Sequence, residues 1–263
     1  MKLAVGMSPC PNDTFMFYHL LKSGQFEIDL TIADVEDLNK RALNQELDIS
    51  KVSLYTAVKV MDHYKILDAG AALGKNCGPL LVARRENCAR ELKGATVGIP
   101  GLHTTANLLF SLFSEGQGTK VCMTFDQIMP AVQEGVVDFG VIIHEGRFTY
   151  HNYGLSEVVD LGEWWVGFSK MPIPLGGIIA KKDLPDDLLH TFTRGLHDSI
   201  LKALSEKNNY SAPIYSFIRE HAQEMEQEVI DRHIGLYVNN YSLSLGEEGR
   251  ATIEKLSQLA GDL

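Results

Sequence analysis

The length, composition and charge of this chain exclude several classes of protein. Its 263 residues suffice for one large domain or two lobes, and 45% hydrophobic with 22% charged residues is ordinary for a globular protein. A formal net charge of -10 disfavours a general nucleic-acid or anionic-membrane surface, because either polyanion would be repelled. A small anionic ligand stays compatible with this charge, since local backbone dipoles can outweigh it.

The chain shows no pattern typical of secreted or membrane proteins. No segment approaches the roughly 18 uninterrupted apolar residues of a membrane-spanning helix. The first apolar run reaches Pro9 and Pro11 too soon for a secretory signal. The four cysteines are widely spaced without a CxxC pair, which indicates neither a zinc site nor a redox motif. We therefore expect a cytoplasmic protein with free thiols and no metal.

Strand-like runs alternate with helical patterns along most of the chain, which predicts an α/β fold with largely parallel sheets. A helix is predicted in DVEDLNKRAL, where Asp34 with Asp37 makes the N-terminal cap, and the pattern is helical after Asp183. One predicted strand follows Asp48. The other predicted strands are KLAVGM, DLTIA, YKILDA, PLLVA, ATVGIP, KVCMTF, DFGVIIH and GGIIAKK.

Two stretches of the sequence repeat the same order of features. VGMSPCPNDTFMF, from Val5, resembles VGIPGLHTTANLLF, from Val97: a strand, a proline-containing loop and a helix with phenylalanine near its end. Further on, ALNQELDISKVS resembles AVQEGVVDFGVIIH, and the aspartates Asp48 and Asp138 lie at nearly equal distances from the two valines. The repeat predicts two related α/β lobes.

The predicted crossings between the lobes are PLLVAR, near residue 82, and PLGGIIAKK, near residue 178. They give a larger discontinuous lobe of residues 1–83 plus 180–263, and a smaller inserted lobe of residues 84–179. This arrangement resembles the two-lobed periplasmic-binding-protein-like fold of type II, with two interlobe crossovers. Ligands of open α/β sheets bind beyond the carboxyl ends of strands. We therefore expect Ser53 and His144, at equivalent strand ends, to reach a common ligand site.

Two loops precede predicted helices and could bind an anion. In PGLHTTA, the helix that begins near Thr104 and Thr105 has exposed amide groups suited to a carboxylate or phosphate. Either threonine could equally be a simple helix cap. In the matching loop SPCPNDTF, Asn12 or Asp13 could cap the next helix. Local sequence leaves anion binding and capping open.

Two further positions stand out in strands. Lys51 lies among buried-type residues in ISKVS, where its charge needs a partner or a ligand. His144 ends VIIH and is followed by Glu145, which could orient it, and by Arg147, which offers a positive charge. An imidazole has an unperturbed pKa near about 6.5 and can accept a proton near neutral pH. The residues alone leave a general base and a structural histidine as alternatives.

Several common catalytic motifs are missing from the sequence. HEGRF lacks the second histidine of HExxH, and there is no GxGxxG, Walker or GxSxG motif. We therefore expect no metal site and no nucleotide cofactor. Composition and motifs alone lead to a cofactor-free binder or enzyme of a small anion.

Seven motifs resemble those of the 1,4-dihydroxy-6-naphthoate synthase family of the futalosine pathway to menaquinone. They occur in the family's order, from about residue 3 to the C-terminal helix, with little contribution from residues 183–230. The motifs are SPCPNDTFMF, DVEDLNKRAL, ISKVS, GAALGKNCGPLLVAR, PGLHTTA, IIHEGRFTY and VNNYSLSLGEEG.

The resemblance implies a lyase that converts cyclic dehypoxanthine futalosine into 1,4-dihydroxy-6-naphthoate with release of dihydroxyacetone. It implies His144 as the proton acceptor and a small anionic substrate as partner. No cofactor is implied. The positions that match the family's substrate contacts are Asn39, Lys51, Ser53, Thr104 and Thr105.

Two alternative functions stay open from the sequence. A chorismate dehydratase-like enzyme of the same pathway resembles this fold, although IIHEGRF and PGLHTTA favour the naphthoate synthase. A non-catalytic solute-binding protein for a small carboxylate is the second alternative, and the expected lack of an export signal counts against it. Catalytic turnover would separate these functions. The sequence does not predict the oligomeric state.

Overall fold

The computed structural model describes residues 2–222 and 226–261, and the chain divides into two compact units. The first unit comprises Met1–Gly74 and Pro174–Leu263, and the second comprises Lys75–Ile173. Both units contain helices and strands, which confirms the predicted α/β class. The chain passes from one unit to the other twice, as the sequence predicts.

Both passages lie earlier in the chain than the sequence suggests. The expected boundaries follow residues 83 and 179, whereas the units change after Gly74 and after Ile173. The reason is that the strand in PLLVAR belongs to the second sheet, and the strand in PLGGIIAKK to the first. The expected range 180–263 also includes positions 223–225 and 262–263, which lie outside the described residues.

The strands and helices are numbered along the chain. The strands are β1 (Lys2–Met7), β2 (Glu27–Ile32), β3 (Ile49–Ser53), β4 (Tyr64–Ile66), β5 (Ala72–Gly74), β6 (Leu80–Arg84), β7 (Thr96–Ile99), β8 (Thr119–Cys122), β9 (Phe139–Ile142), β10 (Leu155–Asp160) and β11 (Ile173–Lys181). The helices are α1 (Pro11–Lys22), α2 (Val35–Leu43), α3 (Leu54–Lys59), α4 (Thr105–Phe113), α5 (Phe125–Glu134), α6 (Gly146–Thr149), α7 (Leu161–Ser169), α8 (Asp186–Ser205), α9 (Pro213–His221), α10 (Gln227–Tyr237), α11 (Asn240–Leu243) and α12 (Gly246–Gly261). Short 3-10 turns occupy Arg85–Asn87 and Tyr150–Tyr153.

The two sheets have the same strand order and the same strand directions. The first runs β2-β1-β3-β11-β4, with β5 also pairing with β11, and the second runs β8-β7-β9-β6-β10. In each sheet the first three strands are mutually parallel and the fourth is antiparallel to both of its neighbours. The predicted internal repeat is therefore confirmed in the topology of the sheets.

The registers of the two sheets also correspond. Val5 lies opposite Ile49 in the first sheet, and Val97 lies opposite Phe139 in the second. The sequence repeat predicts this correspondence. It aligns the two valines with each other, and it aligns the two aspartates that directly precede Ile49 and Phe139. The loops after β1 and β7 therefore leave equivalent positions of their sheets.

An aspartate fixes each of these parallel pairs at its start. The Ala4 backbone N–H donates to Oδ2 of Asp48 at 3.0 Å, and the Asp48 N–H donates to the Ala4 carbonyl at 2.9 Å. In the second sheet the Thr96 N–H donates to Oδ2 of Asp138 at 2.8 Å, and the Asp138 N–H donates to the Thr96 carbonyl at 3.0 Å. In each unit the aspartate side chain thus adds one hydrogen bond to those that pair the two parallel strands.

Each unit has its own apolar core. In the first, α1 packs against α8, α9 and α10, and Phe15, Phe192 and Tyr215 are fully buried there. In the second, α5 packs on β6, β7 and β9 through residues such as Ile128 and Val132. Burying a large apolar side chain contributes about 1.5–3 kcal/mol, so each core can hold its sheet in place.

Local structure departs from the sequence prediction at two strands and at the start of α1. The strands β5 and β10 were not predicted, because ALG is too short and LSEVVD lacks alternation.

Asp34 is the N-cap of α2, as predicted. The capping role expected for Asn12 or Asp13 is wrong, since α1 already begins at Pro11 with Cys10 as its N-cap. Proline suits the first helical position because its φ is fixed and it has no N–H to satisfy.

Among the helices of the two described stretches, none combines the length and apolar character that crossing a bilayer requires.

The Asp138 carboxylate yields a test of this fold. Hydrogen bonds from Thr96 and the charge of Arg90 hold the pKa of Asp138 below its ordinary value of 3.8. We expect Asp138→Asn to lower the free energy of unfolding by about 1 kcal/mol at neutral pH, because charge-assisted bonds become neutral ones. Since the folded-state pKa is depressed, this contribution is present above the unfolded-state pKa and is lost as pH falls through the folded-state value.

Urea unfolding at several pH values measures the effect. The difference between wild type and Asp138→Asn should narrow as pH falls below about 4. Glu134→Gln removes an equal charge from an exposed position of the same unit and serves as the control. A difference that stays constant with pH would show that the carboxylate charge does not stabilise the strand pair.

Candidate functional site

Both units place candidate polar residues at the carboxyl edge of their sheet. Because β1 and β3 are parallel, the turn after β1 and the end of β3 lie at the same edge of the first sheet. The strands β7 and β9 have the same relation, so the start of α4 and the turn after β9 share an edge of the second sheet. The first unit thus gathers Asn39, Lys51 and Ser53, and the second gathers Thr104, Thr105 and His144.

Lys51 is buried on β3, where an unpaired ammonium group would be costly. Its Nζ lies 2.6 Å from Oδ1 of Asp13, and the two side chains are 6% and 2% exposed. Asp13 also accepts hydrogen bonds from the Ser8 hydroxyl at 2.6 Å and from the Asn12 amide at 2.8 Å. Lys51 therefore has the partner that its burial requires. This partner is a carboxylate of α1 that accepts hydrogen bonds from three donors.

The end of β3 is fixed by the side chain of Asn39 from α2. Oδ1 of Asn39 accepts from the Ser53 backbone N–H at 2.9 Å, and its Nδ2 donates to the Ser53 hydroxyl at 3.2 Å. The same Nδ2 lies 3.3 Å from Oε2 of Glu36. Asn39 has no exposed surface, whereas Ser53 is 5% exposed and precedes α3 as its N-cap. The geometry makes Asn39 a support for Ser53.

Thr104 is the N-cap of α4. Its hydroxyl accepts from the Asn107 backbone N–H at 3.1 Å and donates to the Gly101 carbonyl at 2.9 Å. Thr105 is the first helical residue, and both threonines are 2% exposed. Thr104 therefore fills the capping role that the sequence allows. The first turn of any helix also carries amide groups that its own backbone cannot satisfy, so the start of α4 can accept an anion.

His144 lies two residues beyond the end of β9, in a tight turn. Its backbone φ is +55°, in the left-handed region that few residues other than glycine adopt. The Gly146 N–H donates to the Ile143 carbonyl at 3.1 Å, and α6 begins there. The partly exposed imidazole packs edge-on against the Phe125 ring, with the ring centroids 4.9 Å apart. The strand therefore ends in a strained turn that presents an imidazole.

Arg147 connects the same turn to two other segments. Its Nη1 donates to the Gly78 carbonyl at 3.1 Å, and its Nη2 forms an ion pair with Oδ2 of Asp160. Oδ1 of Asp160 accepts from two backbone N–H groups at the start of α7, at 2.8 and 3.0 Å, and so caps that helix. The positive charge that the sequence places near His144 is therefore paired with a buried carboxylate.

The surroundings of Arg147 are poorly solvated. Burial raises the pKa of the Cys77 thiol to about 12, although Arg147 opposes the shift, so this thiol stays protonated near neutral pH. Burial also raises the pKa of the Tyr150 hydroxyl and of the Glu157 carboxyl, and the charge of Asp160 adds to the rise at Glu157. Weak solvation strengthens the electrostatic attraction between Arg147 and Asp160.

Three supporting residues have no local signature in the sequence. Asp13 and Asp160 stand at or near helix starts, where acidic residues are common because of the helix dipole. Their pairing with Lys51 and Arg147 joins distant parts of the chain, so spacing does not reveal it. Phe125 is one apolar residue among many. A buried lysine in a strand does indicate that a carboxylate must lie nearby, but not which one.

Cysteine and metal chemistry have no evident place in these sets. Within the described residues none of the four cysteines forms a disulfide, and Cys10 and Cys77 are buried. Nowhere in residues 2–222 and 226–261 do three or more His, Cys, Asp or Glu side chains come together so that they could hold a metal ion. The groups gathered at the two sheet edges are hydroxyl, amide, ammonium and imidazole groups.

The ion pair of Lys51 with Asp13 predicts a specific pattern of stabilities. Asp13→Asn should lower the free energy of unfolding by about 3–5 kcal/mol, because it leaves a buried charge without its counter-charge. Combining Asp13→Asn with Lys51→Met removes both charges and should recover most of that loss. Asp29→Asn, which breaks the exposed pair with Lys2, is the control and should change stability by about 1 kcal/mol or less. Chemical denaturation would contradict the pairing if the double variant lost as much stability as Asp13→Asn and Lys51→Met, measured singly, lose in sum.

Solved structures similar to this chain show the same fold. The protein AF1704 from Archaeoglobus fulgidus has a TM-score of 0.92 and 34% identity, over 99% of this chain and 97% of that one. A Candida albicans protein described as having the generic periplasmic binding protein structural fold has a TM-score of 0.65 and 14% identity, over 100% of this chain and 91% of that one. The latter likeness shows the fold alone. The predicted periplasmic-binding-protein-like fold is therefore confirmed.

Sequence comparison identifies relatives that match nearly the whole chain. A protein from Thermus thermophilus is 42% identical over 258 residues, which cover 97% of this chain and 92% of that protein. A protein from Streptomyces coelicolor is 43% identical over 262 residues, which cover 97% of this chain and 91% of that protein. Both are named 1,4-dihydroxy-6-naphthoate synthase, and a family profile described as menaquinone biosynthesis matches residues 3–262. The chain therefore belongs to the menaquinone biosynthesis family, of which the 1,4-dihydroxy-6-naphthoate synthases are members.

Proposed function

We propose that this enzyme of menaquinone biosynthesis is the lyase that converts cyclic dehypoxanthine futalosine into 1,4-dihydroxy-6-naphthoate and dihydroxyacetone. Its place in the pathway follows from its family. The reaction is supported by the name that two relatives share. The observation of this chain that carries the proposal is the imidazole of His144, partly exposed in a strained turn at a strand end.

His144 acts as the general base in this proposal. It takes a proton from the substrate, and a carbon–carbon bond breaks as the remaining ring becomes aromatic. The imidazolium returns the proton to the departing three-carbon unit, which leaves as dihydroxyacetone. Aromatisation supplies much of the driving force, so the protein needs mainly a base, orientation and exclusion of water. The edge contact with Phe125 restricts rotation of the imidazole and helps to orient it.

The start of α4 is proposed to bind the carboxylate of the substrate. Thr104 holds the preceding loop against the helix start, and Thr105 contributes the first amide of the helix. The positive end of the helix dipole favours a negative group at this position by about 0.3–1 kcal/mol. Both threonines thus serve substrate binding, one by shaping the loop and one by direct contact.

The set at the end of β3 is proposed to bind the hydroxylated part of the substrate. An ammonium group has three donors, so the pair of Lys51 with Asp13 leaves donors for a ligand. The Ser53 hydroxyl, held by Asn39, supplies a further polar contact. Asn39 itself has no exposed surface, and we propose that it serves substrate binding through Ser53.

His144→Asn tests the proposed base. Asparagine adopts the left-handed backbone more readily than most residues, so this change removes the imidazole while keeping the turn. We expect kcat to fall by about 10² to 10⁴-fold. The measurement is the initial rate of naphthoate formation from cyclic dehypoxanthine futalosine.

His151→Asn is the matched control for this experiment. His151 is exposed in the 3-10 turn that follows α6, so the same substitution there should leave kcat near that of the wild type. A near-normal kcat in a folded His144→Asn protein would show that the base lies elsewhere.

Thr104→Ala tests the proposed carboxylate site. Losing the cap should cost about 0.5–2 kcal/mol of stability, and KM should rise because the start of α4 loses its fixed loop. Thr104→Ser keeps the hydroxyl and should restore both properties. Thr124→Ala is the control, since Thr124 is an exposed N-cap of α5 whose side chain makes no capping hydrogen bond. Steady-state kinetics in which neither Thr104→Ala nor Thr105→Ala changes KM would rule out this carboxylate site.

A further inference from the structure

We propose that Arg147 and Asp160 form a clamp that positions His144 for proton transfer. Both residues lie in the second unit, and neither is a candidate substrate contact. The proposal rests on the proposed role of His144 as the base. It adds two positioning residues that act on the substrate only through that histidine.

The turn that holds His144 needs support from outside itself. A residue in the left-handed region is strained, and such strain persists only where the surrounding structure determines the conformation. The helix that follows, α6, has only four residues and ends in a 3-10 turn. So short a helix has little stability of its own. The direction of the imidazole therefore depends on what holds α6.

Arg147 supplies that support from the middle of α6. Its side chain is 15% exposed, and its guanidinium group reaches two segments at once, the Gly78 carbonyl and the Asp160 carboxylate. A planar guanidinium presents donors in a fixed fork, so two acceptors in different directions fix both its position and its orientation. A lysine at this position would carry the charge but not the fork.

The two anchors of Arg147 are themselves held together. Asp160 is tied to the start of α7 through its cap, and Gly162 in that first turn packs directly on the loop that contains Gly78. A Cβ atom added at Gly162 would lie 2.0 Å from the Cys77 carbonyl oxygen. Gly78 has φ of +134°, and its own added Cβ would lie 3.0 Å from Cα of Gly162. The loop and the helix start thus form one closely packed anchor.

The ion pair of Arg147 with Asp160 contributes more to positioning than to the free energy of unfolding. A buried ion pair adds little net stability compared with apolar packing, because both charges lose their hydration. Here each charge also makes directional hydrogen bonds, Arg147 to the Gly78 carbonyl and Asp160 to the amides of α7. The arrangement therefore fixes where α6 begins and, with it, the direction of the His144 side chain.

Asp160→Asn is the principal test. Asparagine caps a helix as well as aspartate does, so α7 keeps its cap while Arg147 loses its counter-charge. Displacing a catalytic group by about 1 Å can cost about 10²-fold in rate, so we expect kcat to fall by about 10 to 10²-fold with little change in KM. Glu163→Gln is the control, because it removes the same charge from an exposed position in the first turn of α7.

A second variant covers the case in which Asp160→Asn does not fold. Arg147→Met combined with Asp160→Asn removes both charges of this largely buried pair and leaves an apolar side chain of similar length. We expect this protein to unfold near the wild-type temperature and to show the same loss of kcat. A loss of kcat in a folded protein separates positioning from stability.

Repeating each change in a His144→Asn background shows whether the clamp acts through His144. We expect no further loss of rate there, since no base remains to be positioned. Unchanged kcat in the folded clamp variants, a change confined to KM, or an equal loss in the His144→Asn background would each overturn the clamp. Normal turnover by His144→Asn alone would instead overturn the proposed base, so the two failures are distinguishable.

Discussion

The parallel pairing of β1 with β3, repeated by β7 with β9, is the constraint on which the rest of the structure depends. In each pair an aspartate at the start of the later strand accepts a hydrogen bond from the backbone of the earlier one. This contact sets the register, and parallel strands in register end at the same edge. The loop after the first strand and the end of the later strand therefore emerge together. Every candidate residue of this protein lies in, or supports, one of these neighbouring segments.

The two units solve the problem of presenting polar groups in different ways. The first buries a lysine and an aspartate on neighbouring elements, and the penalty of desolvating each charge is offset by the other and by two further donors. The second accepts backbone strain of about 1–2 kcal/mol at His144, which the packing around the turn must offset. In both units a polar group is held in a defined direction at some cost in stability, by desolvation in the first and by backbone strain in the second.

The sequence predicts the fold well because the fold is repeated in it. Val5 and Val97 pair in the structure with Ile49 and Phe139, the residues that directly follow the repeated aspartates Asp48 and Asp138. The boundaries of the units are predicted less well, because a strand such as PLLVAR has the same apolar pattern in either sheet. The need of Lys51 for a partner is predictable from burial, whereas the identity of Asp13 depends on a contact between distant parts of the chain. The capped start of α4 is visible locally, but the left-handed turn at His144 is not, since histidine does not require it.

Under the proposed function, this chain cleaves a carbon–carbon bond rather than only binding a small carboxylate. A time course of purified wild-type protein with excess cyclic dehypoxanthine futalosine tests this claim most directly, with naphthoate and dihydroxyacetone quantified separately. The proposed function predicts that the two products form in equal amounts and over many turnovers. Binding of the compound without product formation, or release of a different fragment, would contradict it.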